Sequence, residues 1–138
     1  MPTNTNVQIA FHAERPIEAH AVRTLYDLVN WWPHRQLDAI TQMLERDLAI
    51  GVWDSDHLIG FARTVTDGAF RAYIEDVVMH PLYRRQGLAR QMLTQLIDAL
   101  GPIETISLFC APELIGLYEQ FGFGTRRSQV VMHRVGSG

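Results

Sequence analysis

An arginine pair followed by a glycine forms the segment of this sequence best suited to binding an anion. It reads Arg84-Arg85-Gln86-Gly87-Leu88-Ala89 and lies between a predicted strand and a predicted helix. A turn at this place directs successive backbone N–H groups toward one point at the positive end of the helix. Gly87 permits close backbone approach, and the guanidinium groups of Arg84 and Arg85 match phosphate oxygens. The segment predicts a pyrophosphate site, with a solvated basic turn as the alternative for so short a motif.

Three side chains in the second half of the chain can exchange protons. Glu75 and Asp76 lie in the middle of a strand predicted from Phe70 to Met79. Neighbouring residues of a strand face opposite sides, so both carboxylates reach one site only if the strand contains a bulge. Tyr118 lies on a helix predicted from Pro112 to Phe121. Its phenol can donate a proton, or its ring can simply fill the core.

The composition excludes several classes of chemistry. The chain has 138 residues with 12 basic and 15 acidic side chains, and every basic residue is arginine. Without lysine, neither a Walker phosphate loop nor a Schiff-base enzyme is possible. The six histidines lack metal-ligand spacing, and the single cysteine, Cys110, is expected to be a small buried residue rather than an acyl carrier. We therefore expect no metal.

The same figures predict one domain over residues 1–138 and a cytoplasmic protein. A net charge of −3 argues against a nucleic-acid partner, and no apolar run is long enough to span a membrane. One cysteine cannot form an intramolecular disulfide, which fits a reducing compartment. We expect neither nucleic acid nor membrane among its partners.

The elements that position these residues follow from hydrophobic spacing. Alternation predicts a strand from Val7 to Phe11, a hairpin from Ala49 to Val65 and the long strand from Phe70. Apolar residues three and four apart predict helices after Pro16, from about Leu37 to Leu48, and from Leu88 to Leu100. A strand from Ile103 to Phe109, the helix with Tyr118 and a strand from Phe123 to Val131 complete the chain. This order favours a mixed sheet with helices on both faces.

The second half of the chain resembles the GNAT superfamily of acetyl-CoA-dependent N-acetyltransferases. The stretch from Ile74 to Ala89 is similar to the family's fourth strand, pyrophosphate loop and following helix. The segment Leu117-Tyr118-Glu119-Gln120-Phe121-Gly122-Phe123 is similar to the family's L-Y-x-x-x-G-F segment. The resemblance implies an α/β (α+β) fold with a mostly antiparallel sheet of six to seven strands and about four helices. It also implies that the fourth and fifth strands splay apart.

The resemblance assigns residues to acetyl-CoA as co-substrate. It puts the backbone of Val77, Val78 and Met79 along the pantetheine arm. It assigns the pyrophosphate to the loop and the start of the helix, namely Arg84, Arg85, Gln86, Gly87, Leu88, Ala89 and Arg90. Many members carry an asparagine after the fifth strand, where this sequence has Cys110-Ala111-Pro112, so that contact is not expected here.

Amine acetylation without an acyl-enzyme requires three tasks. A base removes a proton from the amine, N–H groups near Val78 or Met79 stabilise the oxyanion, and an acid protonates the thiolate. Tyr118 suits the acid, because a phenol is protonated at neutral pH, and it matches the family's tyrosine. Glu75 is the preferred base, acting directly or through water, and Asp76 is the alternative. Either carboxylate could instead only bind the ammonium group.

The acceptor is predicted from aromatic residues. Trp31 and Trp32 lie between the first two predicted helices, where the family roofs the acceptor site, and Tyr26 and Tyr73 are expected nearby. They suit a small-molecule primary amine, whereas the tryptophans fit the core or a homodimer contact equally well. A protein N-terminus or lysine is an alternative acceptor. The sequence is also compatible with transfer of a longer acyl group, with an oxygen acceptor, and with a non-catalytic acyl-CoA-binding module.

Overall fold

A mixed sheet organises the structure, a computed structural model that describes residues 6–126 and 128–136. Its strands are β1 (Val7–Phe11), β2 (Leu48–Asp54), β3 (His57–Thr66), β4 (Arg71–Met79) and β5 (Thr105–Leu108). They lie in the sheet in the same order as in the chain. Neighbours from β1 to β4 are antiparallel, whereas β4 and β5 are parallel. A parallel pair needs a crossover connection, and a helix provides it here.

Helices cover both faces of the sheet, as the hydrophobic spacing predicts. On one face lie α1 (Ala19–Leu28) and α2 (Leu37–Arg46), whose buried residues pack with Phe61 and Val78 of the sheet. On the other face lies α3 (Leu88–Leu100), where Met92 and Leu96 pack against sheet residues. The fourth helix, α4 (Ile115–Glu119), follows a short 3-10 turn at Pro112–Leu114. The acetyltransferase-like arrangement predicted from the sequence is therefore confirmed in its strand directions and layers.

A tight turn shapes the edge of the sheet before the start of β4. The Asp67 carboxylate accepts hydrogen bonds from the backbone N–H groups of Ala69, Phe70 and Arg71 at 2.9, 2.8 and 3.1 Å. These bonds, led by the one from Ala69, lower the pKa of Asp67 below its ordinary value. Gly68 in the same turn has φ of +80°, and a Cβ there would meet no atom within 4 Å.

The C-terminal strand prediction is wrong, and so is the count of six to seven strands. The described residues from Phe123 to Val131, which leave out Arg127, form no strand, so the described sheet has five. The exposed fractions of Val130 and Val131 are 84% and 62%. Alternating apolar residues become a strand only where a neighbouring strand accepts their backbone hydrogen bonds. In the described ranges, only β4 pairs with β5.

Helix limits also differ from those predicted. The first helix begins at Ala19 rather than just after Pro16, the second ends at Arg46, and the helical stretch of Tyr118 is shorter than predicted. Helix ends are weakly determined by local spacing, because tertiary contacts select the last turn. None of the helices in residues 6–126 and 128–136 is long and apolar enough to cross a membrane.

Candidate active site

The strands β4 and β5 part halfway along β4. Their pairing runs from Arg71 with Thr105 to Ile74 with Leu108, where β5 ends. The edge of Glu75–Met79 that faces away from β3 therefore has no strand partner in the described part of the chain. An extended ligand arm could add to such an edge through main-chain hydrogen bonds.

A bulge changes the direction of β4 at the same place. Phe61 of β3 pairs with Val78, and Arg63 pairs with Glu75, so β4 holds one residue more than β3 between these pairs. Asp76 has φ of +57°, in the left-handed region that is costly for a residue with a Cβ. The sequence required a bulge for Glu75 and Asp76 to approach one site. The bulge brings both carboxylates to the guanidinium group of Arg63, at 3.6 and 2.7 Å.

The loop after β4 presents unbonded backbone N–H groups at the start of α3. Arg85 and Gly87 have φ of +64° and +78°, which turns the chain sharply before Leu88. The first hydrogen bond of the helix runs from the N–H of Gln91 to the carbonyl of Gly87 at 3.1 Å. Within the described ranges, no acceptor is hydrogen-bonded to the N–H groups of residues 85–90. These donors at the positive end of α3 fit an anion, and the pyrophosphate site at this loop stays a prediction.

Two side chains fix this loop to the sheet. The hydroxyl of Tyr83 donates a hydrogen bond to the carboxylate of Asp54 at the end of β2, which raises the pKa of Tyr83. The Nε of Arg84 donates to the carbonyl of Met79 at 3.2 Å. The Nε of Arg84 thus holds the loop against β4, and Arg84, Arg85 and Arg90 are all exposed.

The Asp76 carboxylate is saturated with hydrogen bonds. Its side chain is 1% exposed and accepts from four donors. The Nε of Arg63 and one Nη of Arg35 donate at 2.7 Å each, the hydroxyl of Tyr26 at 2.9 Å, and the indole N–H of Trp32 at 3.1 Å. We call these five residues the Asp76 cluster.

Burial and the charge of Asp76 shift the pKa values of Arg63 and Tyr26 in this cluster. Burial lowers the pKa of Arg63, but hydrogen bonds and charge attraction from Asp76, and then from Asp47, outweigh this and raise it above its ordinary value. Burial and the Asp76 charge raise the pKa of Tyr26, so its hydroxyl stays protonated. Three of these donors bond Oδ2, one bonds Oδ1, and the side chain is 1% exposed, so a substrate amine has little access to the Asp76 carboxylate.

Glu75 is the more accessible of the two carboxylates. Its side chain is 23% exposed, and it lies beside Tyr73. Partial burial, and then a hydrogen bond to Glu75, raise the pKa of Tyr73 to about 12. Tyr73 also packs edge-on against Phe109, which follows β5 where the two strands part. Glu75 therefore lies at the opening between β4 and β5 with an aromatic residue beside it.

Tyr118 of α4 is kept in its protonated form. It is 5% exposed and packs edge-on against Phe123 at a centroid distance of 6.1 Å. Burial, with a smaller effect of the nearby Cys110, raises the pKa of Tyr118 to about 12. A phenol with this pKa donates a proton or hydrogen bond throughout the physiological range. Cys110 itself is exposed, not buried as the sequence suggested.

A family model decides what this arrangement belongs to. The model of the Acetyltransferase (GNAT) family matches residues 12–123, a range that includes the bulged strand, the anion loop and Tyr118. This chain is a member of the GNAT family. It is therefore an acyltransferase, and the family implies acetyl-CoA as the acetyl donor.

Curated relatives agree with the GNAT assignment. An uncharacterised N-acetyltransferase of Gracilaria tenuistipitata is 32% identical over 130 residues, which are 89% of this chain and 70% of the relative. A histone acetyltransferase of Glycine max is 30% identical over 136 residues, 88% of this chain and 58% of that protein. A chloroplastic serotonin N-acetyltransferase of Oryza sativa is 31% identical over 99 residues, 67% of this chain and 50% of that protein. The chain thus spans between half and about two thirds of these relatives.

A solved structure supports the GNAT fold. An acetyltransferase of the GNAT family from Xanthomonas campestris superimposes with a TM-score of 0.81 at 24% identity. The superposition covers 98% of this chain and 94% of the other. At this level of identity the comparison shows the fold alone.

The GNAT structure separates the residues predicted to bind the acceptor. Tyr26 is 0% exposed, so it contributes through its hydrogen bond to Asp76 and not through contact with a substrate. Trp32 is 43% exposed, and the guanidinium of Arg35 lies 4.3 Å from the centroid of its ring. Trp31 packs against the core beside α1, and Tyr73 lies at the opening described above.

Sequence reasoning missed two arginines of this GNAT site. Arg63 interrupts the apolar stretch of β3, and a charged residue within a buried strand needs an anionic partner, which was the available signal. Arg35 gave no such signal, because it follows the tryptophan pair in a polar loop. In the described residues, no group of three or more His, Cys, Asp or Glu side chains could hold a metal ion.

Proposed function

We propose that this chain transfers the acetyl group of acetyl-CoA directly to a primary amine of a small molecule. The observation that carries the proposal is the row of unbonded N–H groups at residues 85–90 beside the unpaired edge of Glu75–Met79. A pyrophosphate matches the N–H groups, and an amide-containing pantetheine arm matches the strand edge. When bound, acetyl-CoA supplies an activated acetyl thioester.

Two residues divide the proton transfers in this proposal. Glu75 accepts the proton of the amine, directly or through water, because its carboxylate is partly exposed whereas that of Asp76 is saturated. Tyr118 donates a hydrogen bond to the departing sulfur and passes its proton late, as the carbon–sulfur bond breaks; its raised pKa of about 12 keeps the phenol protonated until then. The amine attacks the acetyl carbonyl, the carbon–sulfur bond breaks, and no residue of the chain carries the acetyl group.

The proposed acceptor follows from the opening between β4 and β5. Tyr73 and Phe109 offer ring surfaces there, and Glu75 offers a negative charge to an ammonium group. The Oryza sativa relative is named for a small amine, which agrees with this proposal, whereas the Glycine max relative is named for histones. A protein amine is therefore the second candidate acceptor.

The cysteine content bears on the cellular compartment of the protein. Because the chain has one cysteine, no intramolecular disulfide constrains it, and we propose a reducing, cytoplasmic compartment.

An acceptor screen tests the proposed function. The purified chain is mixed with acetyl-CoA and a panel of small primary amines, and free thiol is followed over time. A second arm offers peptides with a free N-terminus or a lysine, and calorimetry measures acetyl-CoA binding without an acceptor. Thiol release with small amines at a kcat/KM well above that for the peptides supports the proposal. Preference for peptides, or binding of acetyl-CoA without release for any amine, contradicts it.

A further inference from the structure

The loop between α1 and α2 is strained at its centre. In residues 29–36, Asn30 and Trp32 have φ of +59° and +52°. Positive φ is uncommon for residues other than glycine, and for a bulky side chain such as tryptophan it marks real strain. Such a conformation persists only where surrounding contacts hold it. Trp32 must therefore be held by a contact with the rest of the protein.

Only one residue of the sheet hydrogen-bonds to this loop within the described ranges, and it is Asp76. Its Oδ1 accepts the indole N–H of Trp32 at 3.1 Å, and its Oδ2 accepts from Arg35 at 2.7 Å. The other hydrogen bonds of residues 29–36 run within the loop, to α1 or to α2, including that from Arg23 to the carbonyl of Arg35 at 2.7 Å. Arg35 also stacks over the ring of Trp32. Among the hydrogen bonds of the described residues, those to Asp76 therefore attach the loop to β4, beside the apolar packing of Val29 and Trp31 on the core.

Asp76 is itself strained, with φ of +57°, so the hydrogen bond to Trp32 joins two left-handed residues. Buried ion pairs contribute little stability compared with apolar packing of the same volume. Costly backbone at both ends of one hydrogen bond, next to the opening between β4 and β5, therefore favours a role in positioning.

We propose that Asp76 is a positioning residue that holds the strained loop of residues 29–36 against the bulge of β4. Arg63 extends the same unit, since it bonds Asp76 and Asp47 and lies 3.6 Å from Glu75. The loop and Glu75 thus belong to one unit joined by hydrogen bonds and ion pairs. The effect on the acceptor rests on the proposed function, whereas the attachment of the loop does not.

Hydrogen–deuterium exchange tests the attachment without any turnover. Asp76→Asn removes the charge that holds Arg35, and Trp32→Phe removes one hydrogen bond while keeping an aromatic ring. Both variants are expected to raise exchange in peptides covering residues 29–36 at least tenfold, with less than threefold change in α1 and α3. Trp31→Phe is the matched control for loss of an indole, because Trp31 packs against the core without a bond to Asp76, and its loop is expected to exchange less than threefold faster than in the wild type.

Kinetics then test the consequence. In Trp32→Phe the KM for the best acceptor is expected to rise about tenfold, while kcat and the Kd of acetyl-CoA change less than threefold. Arg71→Gln, which removes the exposed pair with Glu104 and a side-chain hydrogen bond to the carbonyl of Phe70, provides the control for loss of an ion pair and is expected to match the wild type.

Three results would overturn the positioning role. One is wild-type exchange of residues 29–36 in both variants, and another is a rise spread equally over all helices, which would mean a general loss of stability. The third is a looser loop with unchanged acceptor KM. If no amine is acetylated, the proposed function fails, and exchange still decides whether Asp76 holds the loop.

Discussion

Replacement of Gly87 by alanine tests the anion loop directly. Gly87 precedes α3 with φ of +78°, and a Cβ added there would meet no protein atom within 4 Å. The protein therefore has room for the methyl group, which would project where the loop is open. Any large effect on ligand binding must come from the ligand or from the strained backbone.

The strained backbone and the displaced phosphate affect different free energies, the first that of unfolding and the second that of binding. A residue with a Cβ costs roughly 1–2 kcal/mol in the left-handed region, which lowers the free energy of unfolding. If the methyl group displaces a phosphate from one N–H group, binding loses a charge-assisted hydrogen bond of about 1.5–3 kcal/mol. This corresponds to a roughly 10- to 150-fold rise in the Kd of acetyl-CoA. Calorimetric titration with acetyl-CoA measures it.

Gly68 supplies a matched control. It has φ of +80° and open space around its Cβ position, but it lies in the turn between β3 and β4, away from the loop. Gly68→Ala is expected to lose about the same stability in thermal unfolding, roughly 1–2 kcal/mol, and to bind acetyl-CoA as the wild type does. Wild-type affinity in folded Gly87→Ala, or equal loss of affinity in both variants, would refute the assignment of the N–H groups to the pyrophosphate.

Three further substitutions test the proton transfers and the loop anchor. Tyr118→Phe is expected to lower kcat about 100-fold or more without changing acetyl-CoA affinity. Burial raises the pKa of folded Tyr118 to about 12 from an ordinary 10. The stability that comes from the neutral phenol is therefore complete below pH 10 and is lost as the pH rises to 12. Unfolding curves of Tyr118→Phe at alkaline pH should lack this loss. Glu75→Gln should lower kcat/KM most near pH 7 and less near pH 10, where the amine loses its own proton; a constant ratio from pH 6 to 10 would show that Glu75 is not the base. Tyr83→Phe removes the bond to Asp54 and should raise the Kd of acetyl-CoA several-fold, about 1 kcal/mol, with kcat unchanged in saturating cofactor.

The local part of the site could be predicted because local sequence produces it. The segment around Gly87 needs only a strand, a turn with positive φ and a helix start, and each has a signal within a few residues. The helical position of Tyr118 followed from the spacing of its neighbours in the same way. The C-terminal strand failed because alternation does not specify a partner, and described residues such as Val130 remain exposed.

The Asp76 cluster could not be predicted in this way. Its members come from α1, the following loop, β3 and β4, and the Asp76–Tyr26 hydrogen bond joins residues 50 apart. The sequence analysis preferred Glu75 to Asp76 as the base, but the difference between the surroundings of the two carboxylates is visible only in the fold. One is enclosed by four donors, and the other is partly open beside Tyr73.

The amino-acid sequence by itself determined the family, the order of most helices and strands, and the loop with backbone donors at Gly87. Those features depend on interactions between residues near one another in the chain. Only the tertiary structure decided where β4 bulges and parts from β5, and which carboxylate is saturated. Strand register and the burial of a charge depend on partners distant in the sequence, whose identity no local pattern contains.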